Sequence, residues 1–373
     1  MANLNFQQII DIRLLLSVEG IGIGRIKNLI AKFQSTENIL AAGIPDLMEA
    51  EGVSLSLAQR IKSVSKHREN IEKAVNNEFE RIFKMNGSLV SLWDDDYPSL
   101  LRKIYDPPVL LYTKGKFQDS DDYSIAVVGT RQPTNYGKIQ TEKIVTELSE
   151  QKITIVSGLA RGIDSIAHKT ALKNNNRTMA VLGSGLNVIY PPENKKLFDE
   201  IAERGVIITE YSLDTKPDAV NFPKRNRIIS GLSLGCIIIE TGTTGGAMQT
   251  AALALDQGRE VFAIPGNLGV RQSEGTNLLI QKGEAELITN AEDVMTELEL
   301  KLKPIIGKTI PKPDVHLNLF EEKIVAQLND EPMQIDALSA KTNLSTSDCL
   351  VHLLSLEFKG IVKQLPGKKF MRI

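Results

Sequence analysis

Residues 124–131 read SIAVVGTR, residues 153–162 ITIVSGLARG and residues 178–185 TMAVLGSG. Each is a short β-branched and aliphatic run that ends on glycine and small polar side chains. Such a run shows no polar alternation, so it has no solvent face and suits a strand covered on both sides. The pattern returns in VIITE (206–210), CIIIE (236–240), EVFAIPG (260–266) and AELIT (285–289), with helical stretches between. Strands that alternate with helices predict a parallel sheet with helices on both faces. The expected fold is therefore α/β, a Rossmann-like, doubly wound, mostly parallel sheet, placed at residues 83–303.

The flanks read differently. Residues 1–82 are helical and carry two similar half-units, LLLSVEGIGIGRIKNLIAKF and LMEAEGVSLSLAQRIKSV, each a helix, a glycine turn and a second helix. Hairpins of this helix-hairpin-helix (SAM-like) kind bind a DNA backbone through turn N–H groups or serve as a structural bundle, and the pattern fits both. Arg25 follows the fuller glycine spacing of the first unit. Residues 304–316, PIIGKTIPKPDVH, are proline-rich and aperiodic and read as a linker. Residues 317–373 predict three helices and two strands around Pro366-Gly367, the layout of a winged helix. Its third helix is short of basic side chains, which favours a protein-contact role over DNA binding.

A chain of 373 residues, 42% hydrophobic and 24% charged, suits two or three soluble domains. The net charge of −2 advertises no polyanion partner, so any anion site must be local. Cys236 and Cys349 make no disulfide framework, and the histidines His67, His168, His316 and His352 have no ligand spacing. No cofactor or metal is expected. The start, MANLNFQQIIDIRLLL, lacks a signal-peptide pattern, and no apolar run approaches membrane length. A cytoplasmic protein with no membrane partner is the expectation.

In an open parallel sheet, ligands bind beyond the carboxyl ends of the strands. Here those ends carry Gly129-Thr130-Arg131, Ser157-Gly158-Leu159-Ala160-Arg161-Gly162, Gly183-Ser184-Gly185 and Thr241-Gly242-Thr243-Thr244-Gly245-Gly246. Glycine lets backbone N–H groups reach an anion, and each following helix points its positive end there. Next to them stands NFPKRNRIISGLS (221–233), read as a helix with Asn221 as polar cap and Pro223 in its first turn. Lys224, Arg225 and Arg227 crowd its positive end, where cations are disfavoured by about 0.3–1 kcal/mol each. An anionic ligand would account for them; so would pairing with Asp164 or Glu240. No strand leads into G-x-G-x-x-G, and GTTGGAMQT lacks a P-loop lysine, so neither a dinucleotide nor a Walker-type triphosphate site fits. Phosphates spaced along a strand suit several loops side by side, with Phe222 as a stacking face or a core anchor.

At these residues the chain resembles the DNA processing protein A family, also called Smf. The segments that carry the likeness are VVGTRQPTNYG, IVSGLARGIDSIAHKTAL, AVLGSGLNVIYPPEN, NFPKRNRIISGLS, ETGTTGGAMQTAALALDQGREVFAIPG and EGTNLLIQKG, in order across residues 125–283. The resemblance implies a single-stranded-DNA-binding protein of natural transformation. Such a protein protects incoming DNA and helps load a RecA-type recombinase, catalyses nothing, and forms a homodimer through the Rossmann-like domain. It implies a DNA site at Gly129, Thr130, Arg131, Ser157, Gly158, Gly183, Ser184, Phe222, Lys224, Arg225, Arg227, Gly245 and Gly246. Residues 277–281 and 291–300 are candidate surfaces for self-association and recombinase contact. A more distant likeness, to phosphoribohydrolases of the lysine decarboxylase-like type, gives the enzyme alternative. There, Met248 and Gln249 stand where that family's loop glutamate is expected, and His168 reads as a structural helix residue.

Overall fold

The computed structural model describes residues 6–298, 317, 319–328, 333–342, 344–358, 362–365 and 369–372, and the proposed linker at 304–316 lies outside them. The chain divides into two compact units, residues 1–305 and 306–373.

In the first unit the apolar runs form the centre of a sheet. Its strands are β1 (Gly87–Ser91), β2 (Leu110–Gly115), β3 (Ser124–Val128), β4 (Thr154–Ser157), β5 (Thr178–Val181), β6 (Val206–Thr209), β7 (Gly235–Ile238), β8 (Glu260–Ala263) and β9 (Glu286–Leu287). Their order is β1-β2-β6-β5-β4-β3-β7-β8-β9. Pairings from β6 through β9 are parallel; β1–β2 and β2–β6 are antiparallel. Every residue of β3, β4, β5, β6 and β7 is buried, as continuous apolar runs require. Helices cover both faces, and Ala126, Val128, Val156, Val181, Ile228 and Cys236 share one core. The run AELIT contributes only two residues of strand, Glu286 and Leu287, at the exposed sheet edge.

Chain order reverses between β3 and β7: strands reached by successive crossovers run outward from β3 on one side and from β7 on the other. The loops after this neighbouring pair, 129–134 and 239–245, stay joined at their start by the Thr130 N–H donating to the Glu240 carbonyl at 2.7 Å and then flank a crevice.

The helical front spans Phe6–Leu16 to Arg68–Lys84 and has its own apolar core, which Val109 and Leu110 of the sheet unit extend. Arg25 ties the two half-units together: its Nε donates to the Gly52 carbonyl at 2.9 Å and its guanidinium also to the Gly20 carbonyl at 2.5 Å. Both glycines take left-handed φ, +78° and +91°, which a side chain would strain. Arg13–Glu78 at 3.0 Å and the forked Arg81–Asp214 pair tie the front to its last helix and that helix to the loop after β6.

The second unit is a winged helix. Its helices Leu319–Val325, Ile335–Thr342 and Thr346–Phe358 pack with β10 (Met333–Gln334), β11 (Val362–Leu365) and β12 (Lys369–Arg372) around Leu338, Cys349, Leu353 and Phe370. Ser345 caps the third helix, accepting from the Asp348 N–H at 3.1 Å. The sheet is three-stranded, β10 having escaped the sequence pattern because it is two residues long. The turn at Pro366-Gly367 lies outside the described residues.

Candidate nucleic-acid interface

At the β3/β7 crevice a pocket of about 750 Å³ opens beneath the helix Asn221–Gly231. Gly129, Thr130 and Arg131 line one side, and Gly242, Gly245 and Gly246 the other. Phe222, Arg225 and Asn226 come from the helix. The following helix, Gly246–Asp256, aims its start at this space; its cap residue is Gly245, so no side chain closes the first-turn N–H groups. Space stays open beside Gly246, where an added Cβ would meet nothing within 4 Å. An anion at this end of the pocket would face the Gly246 and Ala247 N–H groups, the Met248 N–H being taken by the Gly245 carbonyl at 3.0 Å, and the positive end of a helix dipole.

Phe222 is half-buried and forms a wall with its ring 5.8 Å from that of Tyr190. The Arg131 guanidinium lies 5.4 Å from the Phe222 centroid and that of Arg225 lies 5.9 Å away. Gly183 makes room for this ring: a Cβ there would fall 2.9 Å from it. Arg131 is exposed and, among the described residues, pairs with no carboxylate. Lys224 is exposed on the same helix turn. A planar ring bracketed by a free cation suits a flat, anionic polymer whose bases stack and whose phosphates need counter-charges.

The other two expected cations are not available to a ligand in the same way. Arg225 is 3% exposed and donates to the carbonyls of Gly158, at 2.7 Å, and Val181. Burial pushes its pKa down to about 10, opposed by the nearby Asp164 carboxylate, and its Nε has no partner among the described residues. Gly158 is glycine for this arginine, since a Cβ would fall 2.6 Å from its guanidinium. Arg227 makes a forked pair with Glu210, at 2.9 and 2.7 Å, and a longer contact with Asp106, away from the pocket. Salt-bridge pairing with Glu240 fails for both. Instead, the Thr134 N–H and hydroxyl donate to that buried carboxylate at 2.9 and 2.5 Å, and it fills the space beside Gly137. Asp164 is buried too and accepts from the Gly158 and Ala160 N–H groups at 3.1 and 3.4 Å; burial pushes its carboxyl up against the pull of Arg225.

Other expected donors also turn inward. The Ser157 hydroxyl donates to the Val127 carbonyl at 2.7 Å, and that of Ser184 to the Val188 carbonyl at 2.7 Å. Both hydroxyls are taken up by backbone carbonyls, and neither residue lines the pocket. Asn221 is not a cap: the helix starts at Asn221 itself, after Val220, with no side-chain cap bond. Gly129 packs so tightly on Ile163 that a Cβ would fall 2.6 Å from its side chain. Thus Gly129, Thr130, Arg131, Phe222, Arg225, Gly245 and Gly246 meet at one pocket, whereas Ser157, Gly158, Gly183 and Ser184 build its walls from behind. Sequence reasoning missed Tyr190 and named Arg161 only as part of the loop after β4; both share a notch beside Phe222 with Gly183. Arg161 was legible as a cation inside a glycine loop at a strand end. His168 is a structural residue as expected, buried and 2.7 Å from the Thr178 hydroxyl.

Comparison with known proteins fits this arrangement. Residues 88–299 match the family model of DNA recombination-mediator protein A. The chain belongs to that family. Residues 311–368 match the DprA winged helix domain and residues 12–66 a SAM-like helix-hairpin-helix tandem. Protein Smf of Synechocystis is 35% identical across 95% of this chain and 96% of its own length. Protein Smf of Escherichia coli is 33% identical across 94% and 91%. Among solved structures, DNA processing protein A of Streptococcus pneumoniae superposes with a TM-score of 0.66 at 34% identity, covering 77% of this chain and 97% of that one. The Helicobacter pylori DNA processing protein A, solved for its unique single-stranded DNA binding mode, gives 0.52 at 34% identity over 58% and 97%. Among the described residues no helix is long and apolar enough to cross a membrane, and no cluster of His, Cys, Asp and Glu could hold a metal.

Proposed function

We propose that the pocket at the β3/β7 crevice binds single-stranded DNA, and that the protein acts as a carrier of that strand in natural transformation and not as an enzyme. The observation that supports this most is the pairing of an uncommitted cation, Arg131, with the open ring of Phe222 above an uncapped helix start. Stacking favours unpaired bases, because a duplex hides their faces. Arg131, Lys224 and the Gly246 end of the pocket would take phosphates, which carry no base code, so binding tolerates every sequence. The solved Helicobacter pylori relative, which binds single strands, adds weight.

Membership of the family supports a wider role. The bound strand would be protected and passed to a RecA-type recombinase in the cytoplasm, and a homodimer through the sheet unit would place two pockets along one strand and raise avidity. The enzyme alternative lacks its acid. Met248 and Gln249 occupy the loop position, and Glu240, the carboxylate that precedes the loop, is consumed by Thr134.

The test is fluorescence anisotropy with labelled oligo-dT and a matching duplex, with and without a chelator of divalent metals. The expected outcome is tight binding of the single strand, weak binding of the duplex and no effect of chelation. Equal affinity for both forms would sink the pocket reading, and release of a free base from nucleoside monophosphates would revive the enzyme.

A further inference from the structure

Beside the main pocket, Arg161, Pro191 and Gly183 close a shallow notch together with Arg131, Tyr190 and Phe222, which also line that pocket. Arg161 stands on the loop after β4, and that loop is held firmly. Asp164 accepts from two of its N–H groups, the Ser165 hydroxyl donates to the Ala160 carbonyl, and Gly162, at φ +76°, packs against the Thr130 carbonyl. The backbone therefore presents Arg161 at the mouth of the site in a fixed position. Its side chain is forked onto Glu193, with Nε to one carboxylate oxygen at 2.5 Å and a terminal nitrogen to the other at 3.1 Å.

This pair differs from the buried arginine pairs of the sheet and is as open as the forked Arg81–Asp214 pair, which is 40% and 62% exposed. Arg227–Glu210 is 16% and 19% exposed and Arg177–Asp121 13% and 6%, as befits pairs that hold structure. Arg161 and Glu193 are each 53% exposed. An ion pair so open to water contributes little stability. A forked guanidinium fits a phosphate as well as it fits a carboxylate.

Resting on the single-strand reading of the pocket, we infer that Arg161 is a further DNA-phosphate contact and that Glu193 is its latch. In the free protein the Glu193 carboxylate occupies the guanidinium fork. When a strand stacks on Phe222, the next phosphate along takes the fork and Glu193 swings into solvent. The latch keeps the guanidinium pre-aimed while it holds affinity below its maximum. Breaking the exposed pair is a cost that each binding event bears, so removing the carboxylate strengthens binding by about 2–5-fold, the factor that an exposed pair is worth.

Two measurements test this on the full chain with oligo-dT. The first compares the affinity of wild type and Glu193→Gln by anisotropy; the expected result is a 2–5-fold gain. Unchanged or weaker binding by a folded Glu193→Gln protein overturns the latch. The second follows the arginine Nε–Hε resonances by NMR, with Arg161 assigned through its loss in Arg161→Lys. On titration with oligo-dT the Arg161 signal should move and saturate together with the anisotropy. A signal that stays put while the strand is fully bound shows that Glu193 keeps the guanidinium, and any gain in the variant is then plain relief of repulsion. If wild type binds no oligo-dT at all, it is the pocket reading that fails, before the latch is reached.

Discussion

Arg131 and Arg225 both border the pocket, yet their replacement should have opposite consequences. Arg225→Ala takes donors from two buried carbonyls, Gly158 and Val181, and leaves the buried Asp164 without its nearest positive charge. A buried acceptor left unsatisfied costs about 1–3 kcal/mol. Two of them, with relief of Asp164 by proton uptake, put the loss at about 2–5 kcal/mol. Arg131→Ala removes an exposed side chain that makes one ring contact, so its effect on stability should lie within about 0.5 kcal/mol. Urea unfolding followed by Trp93, the single tryptophan, reports on the first unit, because that ring packs against both the sheet core and the helical front. Oligo-dT affinity is then measured on each variant at a temperature where it is folded. Arg225→Ala should unfold at markedly lower urea, whereas Arg131→Ala should unfold like wild type and lose affinity. An Arg225→Ala protein with wild-type stability and abolished DNA binding would refute this, and would show that the arginine leaves its carbonyls to meet the ligand.

Phe222→Ala should weaken oligo-dT binding by about 1–3 kcal/mol if the ring stacks on a base, with Phe222→Leu losing nearly as much because bulk does not replace the π face; equal affinity in both, by anisotropy, would return the ring to a packing role. Gly183→Ala should act at a distance, since its methyl falls 2.9 Å from the Phe222 ring and must displace it; reduced DNA affinity in a folded protein is expected, and wild-type affinity would mean that the ring's position is unimportant. His168 has its pKa pushed down to about 3 by burial, with Nε2 unpartnered. Its folded pKa lies below the unfolded one near 6.5, so its contribution is complete above about pH 6.5 and is lost as pH falls towards 3, by up to about 1.4 kcal/mol per pH unit. Asp164 works the other way, its raised carboxyl favouring the fold at low pH. The check is therefore the difference between wild type and His168→Asn in urea at pH 7 and pH 5: the variant should lose less on acidification, and parallel losses would contradict the burial argument.

The sheet was legible because runs such as SIAVVG and TMAVLG leave no face for water, and the switch point follows from where their glycine ends gather. The hairpin front and the winged helix were legible from turn glycines and helix periodicity. The roles of individual site residues were less so. Lys224, Arg225 and Arg227 look alike in the sequence NFPKRNR, but a helix advances 100° per residue. Successive side chains therefore meet different surroundings: Lys224 reaches solvent, Arg225 points under the strand ends, and Arg227 turns towards Glu210. Glu210 and Asp106 lie on loops far apart in sequence from their arginine partner, and no local pattern announces such pairs. Ser157 and Ser184 read as ligand donors because serine at a strand end is a common anion contact. Each instead donates to a backbone carbonyl, Ser157 to that of Val127 in β3 and Ser184 to that of Val188. Glycine was the better guide, though for a different reason at each place: Gly158 admits a guanidinium, Gly183 a ring and Gly137 a carboxylate.

The most direct test of the central claim is the salt dependence of oligo-dT binding, measured by anisotropy for wild type and for an Arg131→Ala, Lys224→Ala double variant. Each phosphate neutralised contributes about −0.7 to the log–log slope for a single strand. The double variant should bind more weakly and show a slope shallower by about 1.4, the share of two phosphates. Identical slopes and affinities in the two proteins would place the DNA elsewhere on the chain.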